Sequence, residues 1–319
     1  MNENKIRILQ RYLRAKLSFF FNKSEIMDKN KENLILDIFN KSSFMINQKK
    51  SNRKKTHQIF SRQVFDLIRK KELLNFLQKS FIQQMFFIHN RFYLLGYLLK
   101  LKKKIKGSFW EKLLLEDKVG NPVRYFLYPK SSGNKIFQTF HLKKFDDFSN
   151  INLKKFSDVI EFGGGYGNMA STFKRINPKV NYTIFDTYEV NLLQYYYLKR
   201  LNYQVFLNNN KQKEAIYLIN SLKELKLKLS TLKNKSNKLF IANWSISETP
   251  LEFRKKISFL FENFDYQLIS FQSEFEKIDN YEYFLKIQIN NNKKNRNSKL
   301  ISVESMKNHF YLFSKINKS

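Results

Sequence analysis

Apolar positions along the chain follow a helical period first and a strand period later. Ile6, Leu9, Leu13 and Leu17 share one helical face, and so do Leu34, Ile35, Ile38 and Phe39. Polar Lys/Asn/Ser stretches, among them the basic run 49–55, separate and follow them. From about residue 61 to 105 the helical spacing is dense: Val64, Phe65 and Ile68, then Leu73, Leu74, Leu77, Phe81 and Ile82, on through Phe86, Phe87, Ile88 and Phe92 to Leu95. Beyond residue 150, short apolar runs take over at 158–162, 182–185, 203–207, 216–219, 239–242 and 266–271. Helical segments lie between several of them. Met169, Ala170, Phe173 and Ile176 form one, stopped by Pro178, and Val190, Leu193, Tyr197 and Leu201 form another. The pattern predicts an α/β fold whose sheet is mostly parallel, preceded by an N-terminal helical region.

Three segments follow. Residues 1–60 form an accessory helical and basic segment. Residues 61–150 form a helical lid or dimerisation region, with turns at Gly107, Gly120-Asn121-Pro122 and Ser131-Ser132-Gly133-Asn134. Residues 151–319 carry the sheet, which ends in an antiparallel hairpin of 299–303 with 309–316. A Leu/Lys-rich helix is expected from Leu222 to about Leu232. Thr249-Pro250-Leu251-Glu252 predicts a capped helix start with proline at the first helical position, and Ile257, Leu260, Phe261 and Phe264 as its buried face. Residues 274–283 read as an acidic-aromatic loop and 290–298 as a polar, disordered spacer.

Candidate chemistry centres on Asp158-Val159-Ile160-Glu161-Phe162-Gly163-Gly164-Gly165-Tyr166-Gly167. Strand, glycine turn and helix form the opening unit of a nucleotide-binding sheet. A dinucleotide fingerprint starting at Gly163 would need glycine at 168, where Asn168 stands, and no Lys-Ser/Thr completes a phosphate loop. The spacing that fits is Glu-x-Gly-x-Gly-x-Gly, which is that of S-adenosylmethionine methyltransferases. An acid at the strand end suits a cofactor bearing an ammonium group. Asp186 ends the next apolar run about 20 residues on, where a carboxylate can accept both ribose hydroxyls of an adenosine.

The stretches 160–167, 185–190 and 194–198 resemble the sugar O-methyltransferases of bacterial polysaccharide gene clusters. So does Leu239-Phe240-Ile241-Ala242-Asn243-Trp244-Ser245-Ile246-Ser247-Glu248-Thr249-Pro250-Leu251, the more family-specific segment. Trp110-Glu111, Gly120-Asn121-Pro122 and 308–313 also match, so the resemblance covers about residues 80 to 316. It implies a Rossmann-like class I methyltransferase sheet, S-adenosylmethionine as cofactor and a carbohydrate acceptor that is free, nucleotide-linked or lipid-linked. The expected cofactor contacts are Glu161, Gly163, Gly164, Gly165, Gly167, Asp186, Thr187, Asn243 and Trp244. Tyr125 and Asn134, in the segment before the glycine strand, are acceptor candidates, with Tyr128 and His141 as further ones. Asn280 and Tyr281 lie where aromatic rings stand beside Asp, Asn and Glu, as a sugar requires. His309 and Glu248 are the candidate general bases, Glu248 because it sits past a central strand while Glu252 fills the capping position.

Composition narrows the alternatives. With 319 residues, 42% of them apolar, the chain has ample core material. It contains no cysteine, which excludes disulfides and thiol chemistry. His57, His89, His141 and His309 show no metal-ligand spacing, so no metal site is expected. No apolar run of about 18 residues predicts a membrane span, and the start lacks the apolar core of a signal peptide, so a cytoplasmic protein is expected. A net charge of +32 would ordinarily point to nucleic acid. Abundant Lys, Asn, Ile, Phe and Tyr with only 8 Gly and 4 Pro instead match the bias of a low-GC genome. Nucleic acid is therefore not the expected partner, while weak membrane-surface association and self-association remain compatible. RNA ribose methylation, another small-molecule methyl acceptor and a cofactor-free scaffold stay open. An Asn-Pro-Pro-Tyr loop, usual for base-amine methylation, is absent, since the loop reads Asn243-Trp244-Ser245-Ile246.

Overall fold

A computed structural model describes residues 27–43, 55–86, 91–102, 109–208, 212–232 and 237–317. The expected helix at Ile6 to Leu17, most of the basic run 49–55, Phe87, Ile88, His89 and Gly107 lie outside them. The chain divides into two units. One comprises Met1–His141, Gly165–Thr172 and Tyr188–Tyr203, the other Leu142–Gly164, Phe173–Thr187 and Gln204–Ser319.

In the first unit the helical period is realised as α1 (Lys29–Ser43), α2 (Lys55–Arg69), a 3-10 segment (Leu73–Gln78), α3 (Ser80–Met85), α4 (Leu94–Lys102) and α5 (Phe109–Leu113). Ile35, Ile38, Val64, Ile68, Phe76 and Leu77 are buried. Tyr97 of α4 stacks on Phe140 at 4.1 Å between centroids. A small antiparallel pair, β1 (Arg124–Tyr125) and β2 (Tyr128–Ser132), leads into α6 (Gly133–Ser149). Lys135 on α6 is fully buried, with Nζ 3.3 Å from Ser171 Oγ, 3.2 Å from Thr172 Oγ1 and 4.0 Å from the Glu116 carboxylate.

The sheet belongs to the second unit. In chain order its strands and the intervening helices are β3 (Asp158–Phe162), α7 (Asn168–Ile176), β4 (Asn181–Phe185), α8 (Tyr188–Arg200), β5 (Val205–Phe206), β6 (Ile216–Ile219), α9 (Leu222–Ser230), β7 (Lys238–Asn243), α10 (Leu251–Lys256) and β8 (Tyr266–Gln272). A hairpin, β9 (Glu274–Phe275) with β10 (Ile278–Asp279), precedes α11 (Asn280–Lys293), β11 (Arg296–Ser302) and β12 (His309–Ile316). Strand order is β11-β12-β8-β7-β3-β4-β6-β5, with β12 antiparallel to both of its neighbours and the other pairs parallel. Every residue of β3 and β6 is buried, as a parallel sheet covered on both faces demands. This is the mostly parallel, Rossmann-like sheet that the sequence predicts, with its closing antiparallel hairpin. Strand order reverses beside β3, between β4 on one side and β7 on the other, so ligands are expected outside the carboxyl ends of these strands. Among the described residues no helix is long and apolar enough to cross a membrane.

Several local expectations change. The 203–207 run forms only the two-residue edge strand β5, while the wholly buried Ile-Tyr-Leu-Ile of β6 takes the place beside β4. Residues 280–293 form a helix that the composition hid. Its cap is Asp279, whose carboxylate accepts the Glu282 amide at 2.8 Å. The 290–298 spacer is ordered as the end of that helix and the start of β11. Side-chain amides hold it: Ser298 N donates to Asn292 Oδ1 at 2.8 Å and the preceding Gln288 Nε2 to Ser298 O at 3.1 Å, while Asn291 Nδ2 donates to the Gln267 side-chain Oε1 at 3.3 Å. Asn295 turns the corner at φ 56°, a conformation asparagine tolerates. The capped start at Thr249 also differs. Pro250 is extended, and the Thr249 hydroxyl donates back to Ile246 O at 2.8 Å instead of accepting from the helix.

Replacing the α11 cap tests its weight in the fold. Asp279→Ala should lower stability by about 0.5–2 kcal/mol in urea denaturation, and an unchanged midpoint would show that the cap is idle.

Candidate functional site

At the carboxyl end of β3, Glu161 lies beside Ile184 of β4 and Phe162 beside Phe185. The Gly163 amide still donates to Phe185 O at 2.9 Å, and there the chain turns with φ 72°. A Cβ at Gly163 would overlap Ser245 Cβ, and Ser245 Oγ donates to Phe162 O. Glycine is required here because the turn following β7 lies directly against it. At Gly164 an added Cβ would lie 2.6 Å from Ile184 Cγ2 and 3.1 Å from Glu161 Oε2. Gly165 and Gly167 belong to the first unit, where Gln194 Nε2 donates to Gly165 O at 2.8 Å.

Glu161 is 2% exposed, and its Oε2 accepts the Tyr182 hydroxyl at 2.9 Å. Burial, opposed by that hydrogen bond and reinforced by the Asp186 charge, pushes its carboxyl up to about 8. At neutral pH it is a protonated acid beneath the glycine turn. Asp186 is half-buried one residue beyond β4. Its amide donates to Ile219 O at 3.1 Å, and its Oδ1 accepts the Thr187 amide at 2.8 Å. The Thr187 hydroxyl is buried and makes no hydrogen bond among the described residues.

One strand over, Asn243 Oδ1 accepts the Ser270 hydroxyl at 2.9 Å, and Trp244 takes φ 61° with its amide donating to Ser270 O at 2.7 Å. That uncommon backbone conformation aims the indole so that Nε1 donates to His309 Nδ1 at 2.8 Å. An indole N–H can only donate, so His309 Nδ1 is the acceptor and the ring proton sits on Nε2. Burial holds this imidazole below its usual range, which keeps it neutral.

Glu248 ends the short 3-10 turn Ile246–Glu248. Ser247 Oγ lies 2.6 Å from Trp244 O and 2.8 Å from Gln272 Oε1. The fully buried Arg254 holds both flanks of Glu248, with Nη2 donating to Ser247 O at 2.8 Å and Nε to Thr249 O at 2.9 Å. Its guanidinium rests 4.8 Å from the Tyr283 ring centroid. Burial, with the Glu276 charge adding, pushes Glu248 up to about 7. Sequence reasoning missed Arg254, because beside Glu252, Lys255 and Lys256 it looks like another surface charge.

Of the acceptor candidates, Tyr281 is 40% exposed and lines an open cleft of about 450 Å³ with Ser273, Glu274, Lys277 and Asp279. Asn280 is fully buried, and neither atom of its side-chain amide has a hydrogen-bond partner among the described residues. Tyr125 and Asn134 are buried in the first unit, where Asn134 is hydrogen-bonded to the Tyr166 hydroxyl. His141, also buried there, has an imidazole held down to about 3 by desolvation. The carboxyl edge of the sheet thus gathers Glu161, Gly163, Gly164, Asp186, Thr187, Asn243, Trp244, Glu248 and His309. Among the described residues no cluster of His, Asp and Glu could hold a metal ion.

No family model matches the chain, and neither does any curated protein. Among solved structures it is similar to an O-methyltransferase family protein from Burkholderia thailandensis, at 10% identity over 58% of each chain with a TM-score of 0.37. An rRNA methylase from Streptococcus thermophilus matches at 14% identity over 55% of this chain and 95% of that one, TM-score 0.39. The magnesium protoporphyrin IX methyltransferase of Synechocystis, with bound SAH, matches at 10% identity over 70% of this chain and 94% of that one, TM-score 0.38. These are likenesses of fold alone.

Two substitutions probe the site. Glu161 keeps its proton to about pH 8 in the folded chain against 4.5 for the ordinary carboxyl. Between those values the folded state binds more protons, so stability falls as pH rises. Glu161→Gln keeps the Tyr182 bond and carries no proton to lose. Its unfolding free energy in urea should equal wild type near pH 4.5 and exceed it above pH 8 by at least about 2 kcal/mol. Equal slopes with pH would refute the buried-acid account. Arg254→Ala leaves two buried carbonyls unpaired and should cost about 2–5 kcal/mol, again read from denaturation.

Proposed function

We propose that the chain is an S-adenosylmethionine-dependent O-methyltransferase acting on a sugar hydroxyl. The observation carrying this reading is the pairing, one strand over from the glycine turn, of the half-buried Asp186 carboxylate with the buried, unpartnered Thr187 hydroxyl. A ribose diol fits that set: the carboxylate accepts both hydroxyls, and the threonine completes its own hydrogen bonding. The backbone of Gly163 and Gly164 and the side chains of Asn243 and Trp244 would hold the rest of the cofactor, with Glu161 supporting the turn from below. When bound, the cofactor supplies an electrophilic methyl group.

The chain's own residues then hold the acceptor oxygen and take its proton. Glu248, poised near neutrality and fixed from both sides by Arg254, is the better base. With Nδ1 occupied by Trp244, His309 carries its proton on Nε2, which suits it to donate a hydrogen bond to the acceptor. The Tyr281 ring offers an apolar face for sugar C–H groups, and Glu274 and Asp279 offer polar atoms for hydroxyls, while Asn280 is buried and does not line the cleft. Polysaccharide biosynthesis is the setting this reading suggests, with a nucleotide-linked or lipid-linked sugar as the acceptor. A second reading, methylation of RNA ribose, is favoured by the net charge of +32.

Calorimetric titration should detect S-adenosylmethionine binding, weakened about 10-fold or more by Asp186→Ala, since a hydrogen bond to a charged group contributes about 1.5–3 kcal/mol. No binding by wild type would leave only a scaffold. Glu248→Gln should cut kcat by about 10²–10⁴-fold with cofactor affinity intact, whereas His309→Gln should cost less. Because Glu248 must be ionised to accept a proton, kcat/KM should climb as pH rises through about 7 and then level off. A labelled-methyl screen over nucleotide-sugars, lipid-linked glycans and RNA decides the acceptor, and salt-sensitive labelling of RNA alone would sink the sugar assignment.

A further inference from the structure

The turn that follows β7 fixes more than Glu248. Ser247 Oγ lies 2.6 Å from Trp244 O and 2.8 Å from the side-chain amide of Gln272. A hydroxyl has one hydrogen, and at 2.6 Å from a carbonyl oxygen that hydrogen lies between the two. Ser247 therefore donates to Trp244 O and faces Gln272 with a lone pair. Only the nitrogen of an amide can meet a lone pair, so Gln272 presents Nε2 to Ser247 (a half-turn about the last side-chain bond exchanges the two amide atoms and leaves the shape unchanged). Oε1 is then on the branch turned away from Ser247. The same turn orients His309, because Trp244 Nε1 donates to Nδ1 at 2.8 Å and leaves the ring proton on Nε2.

Strand register brings these two side chains together. Gln272 is the last residue of β8 and His309 the first of β12, and they stand directly opposite one another in the antiparallel ladder. Such residues project from the same face with Cβ atoms about 4.5–5.5 Å apart. Both are half-buried, and Ser273, next after Gln272, lines the cleft with Tyr281. One fixed acceptor beside one fixed donor matches a group that gives one hydrogen bond and takes another, which is a hydroxyl. It is not the hydroxyl that reacts, since that oxygen gives its proton to Glu248 while its lone pair takes the methyl group. Glu248 directly follows Ser247, so the held and the reacting hydroxyls are close, as on adjacent sugar carbons. We propose that Gln272 and His309 hold a second hydroxyl beside the one methylated, so that the enzyme takes diols and rejects acceptors whose neighbouring oxygen is an ether or ester. That hydroxyl donates to Gln272 Oε1 and accepts from His309 Nε2–H. An ether or ester oxygen accepts from His309 but gives Gln272 nothing. The inference rests on the methyl-transfer reading and adds the acceptor's class to it.

The probes are the glycan that labels best in the methyl-transfer screen and analogues of it. In these, each hydroxyl beside the methylated position is removed or converted to a methyl ether in turn. With the full chain, wild type should lose about tenfold or more in kcat/KM when one of those positions is altered. Gln272→Met keeps the length without a strong acceptor. It should lose a similar factor on the diol and little more on the altered glycans, so that the ratio between them approaches one. Gln272→Glu retains an acceptor oxygen and should preserve the wild-type ratio. A mere brace for the turn would leave the ratio alone in both variants, because a ratio of two kcat/KM values does not depend on the fraction folded. The proposal is overturned if wild type uses every analogue as well as the diol, or if Gln272→Met discriminates as wild type does. Methylation of internal RNA ribose, whose neighbouring oxygen is a phosphodiester, overturns it too. A wild type that binds no S-adenosylmethionine or labels no glycan instead sinks the methyl-transfer reading, and this inference with it.

Discussion

The close approach of two turns at the carboxyl edge of the sheet is the constraint on which the rest of the site depends. Gly163, leaving β3, and Ser245, following β7, lie so near one another that no side-chain carbon fits at Gly163. The Ser245 hydroxyl then bonds to the last carbonyl of β3. Because β3 and β7 are hydrogen-bonded neighbours, this contact fixes both loops at once. The glycine turn emerges with Glu161 below it, and the β7 turn emerges with Trp244 twisted toward His309 and Glu248 held one residue past the Ser247 bonds. A larger residue at either place would move the cofactor side and the proton-accepting side together.

Electrostatics at that edge run against the character of the whole chain. Fifty-nine lysines and arginines give the sequence its +32, yet the charges acting on Glu161 and Glu248 are those of other carboxylates, Asp186 and Glu276. Arg254, the buried cation closest in sequence to Glu248, spends its donors on backbone carbonyls. Lys174 does likewise with the carbonyls of Pro178, Val180 and Glu214. Buried cations here brace loops, and the carboxyls are left to titrate near neutrality, where proton transfer is most useful.

Much of this was legible in the sequence because it depends on local pattern. The glycine turn, the central strands and the closing hairpin each announce themselves through period and punctuation within about ten residues. Other features have no local signature. An acid at a strand end looks the same whether it faces solvent or, as Glu161 does, sits buried against the Tyr182 hydroxyl. The Trp244–His309 bond joins residues 65 positions apart, and its polarity emerges only when the indole is seen aimed at Nδ1. Arg254 is disguised by neighbouring lysines, and α11 by a composition of Asn, Tyr and Lys that reads equally as loop.

The junction of α11 with β11 shows what that composition can do. Ser298, Asn292, Gln288 and Asn291 tie the helix to the sheet through neutral side-chain and backbone amides. A junction of ion pairs in so basic a chain would loosen in brine and rearrange with acid or alkali. Amide knots carry no charge, so these bonds hold the start of β11 whatever the salt or pH, while the Lys294–Glu262 ion pair beside them, at 2.6 Å, answers to both. Asparagine abundance, whatever genomic bias produced it, has here been turned into a fastening indifferent to buffer.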